Sequence, residues 1–279
     1  MRQEGITSFD VDIDRGYLYG VTVPGVYFLV YDLNTERVYN AGAVPHNHPS
    51  RYIASDPSTG KVYHKGEATP GGIQTLTVWD PEQFRLYDVE IAVDGDFEYR
   101  HPYAITNGPA GSHTLYSAIN GKVFVIDLDE SKDGKVHVKP LCSVGVDGEV
   151  KEGNPYTFAL GPDNRVYWGC NYGDHGDLPI AFFAWDPATK KKSYLGTCAL
   201  DGEWIHGGMT QGISFDSEGN MAIHVLYCGL SEHHRTVWSV SDDFDYKDIV
   251  DQPYYLGYPG HFKDTFYSVL YVKNATSIK

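Results

Sequence analysis

Short apolar runs alternate with turn residues along the whole chain, and the runs share a vocabulary. Five of them end on or near an aspartate: Leu29-Val30-Tyr31-Asp32, Thr77-Val78-Trp79-Asp80, Phe124-Val125-Ile126-Asp127, Phe183-Ala184-Trp185-Asp186 and Val237-Trp238-Ser239-Val240-Ser241-Asp242. Turn residues follow most of these: Leu33-Asn34-Thr35, Pro81-Glu82 and Pro187-Ala188-Thr189. Ahead of each stands another strand with its own turn. These turns read Asp14-Arg15-Gly16, Asp56-Pro57-Ser58-Thr59-Gly60, Gly161-Pro162-Asp163-Asn164 and Asp216-Ser217-Glu218-Gly219-Asn220. The third repeat is looser, Asn107-Gly108-Pro109-Ala110-Gly111-Ser112 before His113-Thr114-Leu115-Tyr116.

Asp or Gly, then Pro, Ser or Asp, then Gly or Asn supplies the positive-φ residue that a tight hairpin needs. Each repeat then reads as four short strands. In the second repeat they cover 51–55, 61–65, 73–79 and 85–91. Four-stranded antiparallel units recurring every roughly 45 to 55 residues are the signature of propeller blades. An ordinary β-sandwich would not repeat one vocabulary five times. The expected fold class is therefore all-β, a single β-propeller domain over 1–279 with about five recognisable blades. After the fifth repeat, Phe262-Lys263-Asp264-Thr265-Phe266-Tyr267-Ser268-Val269-Leu270-Tyr271-Val272 adds one or two C-terminal strands. They either close five blades or belong to a larger ring.

Composition agrees with this reading. The chain has 22 Tyr, 12 Phe and 30 Gly but only 3 Met among its 279 residues, which favours pleated surfaces over helices. A formal charge of -15 argues against nucleic acid as a partner and requires a local cationic cluster or a metal for any anionic ligand. No apolar run reaches the roughly 18 residues of a membrane-spanning helix. Met1-Arg2-Gln3-Glu4-Gly5 lacks the apolar stretch of a signal peptide. The protein is then cytoplasmic, or secreted or periplasmic if a leader has been removed. Cys142, Cys170, Cys198 and Cys228 form no Cys-x-x-Cys pair and read as buried thiols, with one disulfide compatible with export.

In a propeller, the loop leading into each inner strand lies on one rim. Those loops read His46-Asn47-His48-Pro49-Ser50-Arg51, Arg100-His101-Pro102-Tyr103, Asn154-Pro155-Tyr156 and His206-Gly207-Gly208-Met209-Thr210-Gln211. His64 and His224 fall on second strands that return toward the same rim. Imidazole suits both proton transfer near neutral pH and transition-metal binding. The alternative is that these rings bond carbonyls between blades. Asp10-Val11-Asp12-Ile13-Asp14-Arg15-Gly16 has the alternating carboxylates of a calcium loop, lacks its late acid, and also reads as a strand and hairpin. The segment 171–178 reads as a surface loop between the second and third strands of the fourth repeat.

The repeat, with His46-Asn47-His48-Pro49-Ser50-Arg51 followed by His64, resembles the β-propeller polysaccharide lyases that act on uronate-containing glycans: ulvan, oligogalacturonate and rhamnosyl-glucuronate lyases. The resemblance implies β-elimination on an acidic oligosaccharide or polysaccharide. A base removes the proton α to the carboxylate, an acid protonates the leaving oxygen, and a positive group neutralises the carboxylate. His48 or His64 is the candidate base, and Tyr103 or Tyr156 the acid. Arg51 is the neutraliser, with His101, Gln211 and His224 binding substrate. His46 and His206 are candidate ligands for a divalent ion (Ca, Mn or Zn). A second, generic resemblance is to gluconolactonase-like propellers, which implies a metal-dependent hydrolase or lactonase. A non-catalytic propeller that binds a partner on its rim is the third reading.

Overall fold

In the first, second and fourth repeats the aspartate that ends the third strand builds the next turn. Asp32 accepts hydrogen bonds from the amides of Asn34 (2.8 Å) and Thr35 (3.1 Å) and from the Thr35 hydroxyl (2.7 Å). Asp186 does the same for Ala188 and Thr189, and Asp80 for the amides of Glu82 and Gln83. Four residues after each aspartate the chain turns through positive φ, at Glu36 (55°), Phe84 (52°) and Lys190 (55°). The repeat seen in sequence is thus a repeat of one hydrogen-bonded turn. At the first hairpin of the first, second and fourth repeats the positive-φ residue is Gly16, Gly60 or Asn164, as expected. The left-handed Phe84 carries a steric cost of about 1–2 kcal/mol. Its ring offsets this by packing edge-on to Trp79 (4.8 Å) and Tyr39 (5.4 Å).

The computed structural model describes residues 5–23, 25–45, 52–131, 133–145, 155, 157–171, 180–197, 199–200, 203–204, 209–215, 221–227 and 266–272. They divide into two compact units, Met1–Leu141 and Cys142–Lys279. Every regular element among them is a β-strand, and no described helix is long and apolar enough to cross a membrane.

In the first unit, β1 (Gly5–Asp12), β2 (Tyr17–Val23), β3 (Tyr27–Asp32) and β4 (Arg37–Ala43) form an antiparallel sheet in that order. The second repeat is β5 (Ile53–Ser55), β6 (Val62–Lys65), β7 (Thr75–Asp80) and β8 (Arg85–Val93). The third is β9 (Thr106–Asn107), β10 (Thr114–Ile119), β11 (Lys122–Asp127) and β12 (Lys135–Ser143). A parallel pairing of β8 with β12, Lys135 opposite Glu90 through Val138 opposite Val93, joins the second and third repeats into one eight-stranded sheet. Strand alternation gives the second repeat two apolar faces. One packs Ile53, Val62 and Trp79 against Tyr19, Val21, Phe28 and Val30 of the first repeat. The other packs Tyr52, Tyr63, Leu76 and Val78 against Leu115, Phe124 and Ile126 of the third.

The carboxylates of the calcium-like motif serve this packing. Asp10 accepts from the amide (2.6 Å) and hydroxyl (2.7 Å) of Ser55, while Asp12 pairs with Arg15 at 3.0 Å. Arg15 also donates to the carbonyls of Pro57 and Ser58. The motif is the strand and hairpin of the first repeat, tied to the second.

In the second unit, β13 (Phe158–Leu160), β14 (Val166–Asn171), β15 (Ile180–Asp186) and β16 (Lys191–Thr197) form the fourth four-stranded sheet. Trp168 stacks between Phe158 and Phe183. A two-stranded hairpin, β17 (Ala199–Leu200) and β18 (Glu203–Trp204), precedes β19 (Met209–Phe215) and β20 (Met221–Tyr227). The C-terminal run supplies β21 (Phe266–Val272), which pairs antiparallel with β20. That is the third-strand position, where the repeat vocabulary puts Val237-Trp238; residues 228–265 lie outside the described residues. Cys170 is a buried thiol, its pKa pushed up to about 12 by burial, and Cys142 is a half-buried one.

Candidate functional site

Strand β6 is short and wholly buried, so alternation decides what each residue meets. Val62 and His64 turn toward the first repeat, and Tyr63 and Lys65 toward the third. Antiparallel pairing sets Ile53 opposite His64, so Lys65 comes level with Tyr52 at the start of β5. Gly66 then holds the chain hard against β7. Its amide donates to the Thr75 carbonyl (3.0 Å), and a Cβ there would stand 2.8 Å from that oxygen. The lysine backbone is therefore held by β7, where Lys65 pairs with Leu76, and its neighbour His64 by β5.

Lys65 is only 4% exposed. Its ammonium lies 5.5 Å from the centre of the Tyr52 ring and 5.8 Å from that of Tyr103. Burial brings its pKa down to about 8, with no compensating carboxylate among the described residues. Among the described residues the cation–π contacts are its only charge stabilisation, and they are worth about 1–2 kcal/mol in a desolvated setting.

The segment before β9 supplies the rest. The Tyr52 and Tyr99 hydroxyls are 3.1 Å apart, and the Tyr99 hydroxyl is 3.3 Å from His101 Nδ1. The His101 ring stands edge-on to both phenol rings, at 5.8 Å from Tyr52 and 5.6 Å from Tyr99. Burial holds both phenols well above the ordinary tyrosine pKa, so they remain hydrogen-bond donors. Tyr103 is the open member, 38% exposed. The next residue is anchored, because the Ser117 hydroxyl donates to the Ala104 carbonyl.

Of the residues singled out in sequence, His101 and Tyr103 come together here, with Lys65, Tyr52 and Tyr99 added. His64 is 2% exposed and turns to the opposite face of the repeat. Its Nδ1 is 3.0 Å from the Lys65 carbonyl, an oxygen that can only accept, so Nδ1 carries a proton. His46, His48, Arg51, Tyr156 and His206 lie outside the described residues. Gln211 and His224 are described only as backbone: Gln211 falls at the irregularity between Thr210 and Gly212 of β19, and His224 pairs with Gly212. No group of three or more His, Cys, Asp or Glu suited to a metal occurs among the described residues. The described cluster offers one imidazole and no carboxylate, a poor donor set for a divalent ion.

No protein-family model matches the chain, and no curated protein sequence does. Solved structures do. The chain is similar to hydrazine synthase of Kuenenia stuttgartiensis at TM-score 0.53 and 16% identity, over 80% of this chain and 56% of that one. It thus spans little more than half of that chain's length. It is similar to the β-propeller domain of Myceliophteria thermophila Cps50 (Swd1) at TM-score 0.52 and 11% identity, over 88% and 70% of the two chains. A chain of the nidogen/laminin complex matches at TM-score 0.53 and 13% identity, over 79% and 74%. The fold is a β-propeller. At these identities the likeness carries the architecture alone.

Proposed function

We propose that this propeller is a carbohydrate-active lyase that cleaves a uronate-containing oligosaccharide by β-elimination at the Lys65–Tyr103 cluster. One observation carries the reading. A buried nitrogen base or cation, Lys65, stands beside a partly open phenol, Tyr103, with no described carboxylate to neutralise it. β-Elimination needs a proton acceptor, a proton donor and positive charge for the substrate carboxylate. Tyr103 is the donor to the leaving glycosidic oxygen. Arg51, next in sequence to Tyr52, receives the carboxylate. From the sequence, the acceptor role falls to His48 or His64. The exposed Tyr103 ring also offers a sugar a face to stack on.

Unsaturated uronate absorbs near ~235 nm, so the test is that absorbance during incubation with a panel of acidic oligosaccharides, with and without added Ca, Mn or Zn. A rise with at least one substrate that disappears in Tyr103→Phe supports the reading. Flat traces across the panel reject it.

A further inference from the structure

We infer that Lys65, rather than a histidine, is the proton acceptor of this site: its amine is enclosed by the Tyr52 and Tyr103 rings, held in place by a fixed backbone, and opposed by no carboxylate among the described residues. The inference rests on the lyase reading and deepens it. A lysine serves as a base only where its neutral form is accessible, which desolvation achieves and an ion pair prevents. The titratable groups around Lys65 fit that condition. Tyr52 faces it from the residue before β5, and Tyr103 from the segment before β9, with Tyr99 and His101 behind them. Tyr63 shares its face of β6, and its phenol is held well above the ordinary range by burial. Arg100, the nearest cation in sequence to His101, is engaged with Glu98 at 2.6 Å and well exposed. His64, the described histidine considered for this role, faces the other repeat.

The step balances without any added reagent. The amine lone pair takes the proton α to the carboxylate, forming N–H as C–H breaks. That electron pair becomes the new C=C bond, and the C–O bond to the leaving sugar breaks. The leaving oxygen takes the Tyr103 proton, and the ammonium returns a proton to the phenolate or to solvent.

The experiment is a pH–rate profile of the full chain and of Lys65→Arg and Lys65→Met, on whichever uronate oligosaccharide gives unsaturated product. Arginine keeps the positive charge but cannot accept a proton in the accessible pH range. The expected result is a wild-type kcat that rises with pH through about 8, following the lysine. Both variants should lose at least ~100-fold in kcat, with little change in KM for Lys65→Arg. Reductive [13C]methylation gives a second readout that does not depend on turnover: one dimethyl-lysine resonance titrating near 8, missing from both variants. A wild-type limb near the ordinary histidine value of about 6.5, with Lys65→Arg within about threefold of wild type, overturns Lys65 while leaving the lyase reading intact. No unsaturated product from the folded wild-type chain overturns the lyase reading, and the role of Lys65 with it.

Discussion

The second repeat has two faces, and they are built differently. Toward the first repeat it presents Ile53, Val62 and Trp79, which meet Tyr19, Val21, Phe28 and Val30 in an apolar, ring-rich contact. Phe28 and Trp79 stack at 6.0 Å with their planes 26° apart. Toward the third repeat its β-strands bury an equally apolar centre, but at the Lys65 end the contact turns polar, with one amine, three phenols and an imidazole. Dense apolar packing stabilises and does little else. Polar groups buried among rings cost stability and acquire unusual proton affinities. One face serves stability, and one end of the other carries the groups on which the proposed chemistry rests.

The largest effect that sharpens this contrast is on the stabilising face. Trp79→Ala should cost about 3–5 kcal/mol in denaturant unfolding, by loss of transfer energy and creation of a cavity. The Lys65 resonance in the folded fraction should keep its titration. A Trp79→Ala that moves that titration as much as it moves stability would erase the distinction between the faces.

Next is Lys65→Met, which should behave in the opposite sense. It removes a buried charge whose folded pKa lies below the unfolded one. Between about pH 8 and the ordinary lysine range near 10.4, the unfolded chain binds more protons, so wild-type stability rises with pH there. The charge penalty is fully present below pH 8 and is of order 3 kcal/mol at most. Unfolding curves at pH 7 and pH 9.5 should show the rise in wild type and not in Lys65→Met. Equal slopes would mean that the amine is not held away from water.

A smaller effect is expected from Tyr99→Phe, which removes the hydroxyl between Tyr52 and His101. About 1–2 kcal/mol of stability should go. Lys65→Met with Tyr99→Phe should be nearly additive if the phenol chain and the amine are independent, and a double-mutant cycle measures the difference.

The smallest effect belongs to the junction of β8 and β12, outside both faces. His137 lies 3.2 Å from both Asp94 and Asp133, and those hydrogen bonds raise its pKa. A raised folded pKa gives stability that is complete below about 6.5 and fades as pH climbs through the folded value. Both carboxylates are open to solvent, which screens the pairs, so His137→Gln should cost only a few tenths of a kcal/mol at pH 6 and less at pH 8. Amide exchange along β8 and β12 is sensitive enough to register it.

The architecture was legible because it is written in local chemistry. Asp32, Asp80 and Asp186 each begin a hydrogen-bonded turn that short-range sequence dictates, and apolar runs on either side follow a period of two. The left-handed Glu36, Phe84 and Lys190 were not legible, because no glycine marks them and the aspartate-built turn rather than residue propensity holds them there. His101 and Tyr103 were found because the repeat predicts which loops lead into inner strands. Lys65 was missed for a physical reason: packing between repeats decides whether a lysine stays buried, and the local sequence carries only a faint trace of it. Its signal was its position as the last residue of a four-residue strand, after Val62-Tyr63-His64 and before Gly66, where a surface lysine is out of place. The side of the strand mattered as well. His64 and Lys65 are neighbours in sequence, yet alternation sends them to different repeats.

The most direct measurement for the central claim is product formation by the folded chain on uronate oligosaccharides, read near ~235 nm in wild type, Tyr103→Phe, Lys65→Arg and His64→Gln side by side. The account predicts unsaturated product from wild type, its loss in Tyr103→Phe and Lys65→Arg, and its survival in His64→Gln. Loss in His64→Gln with survival in Lys65→Arg would put the chemistry on the opposite face and contradict the account.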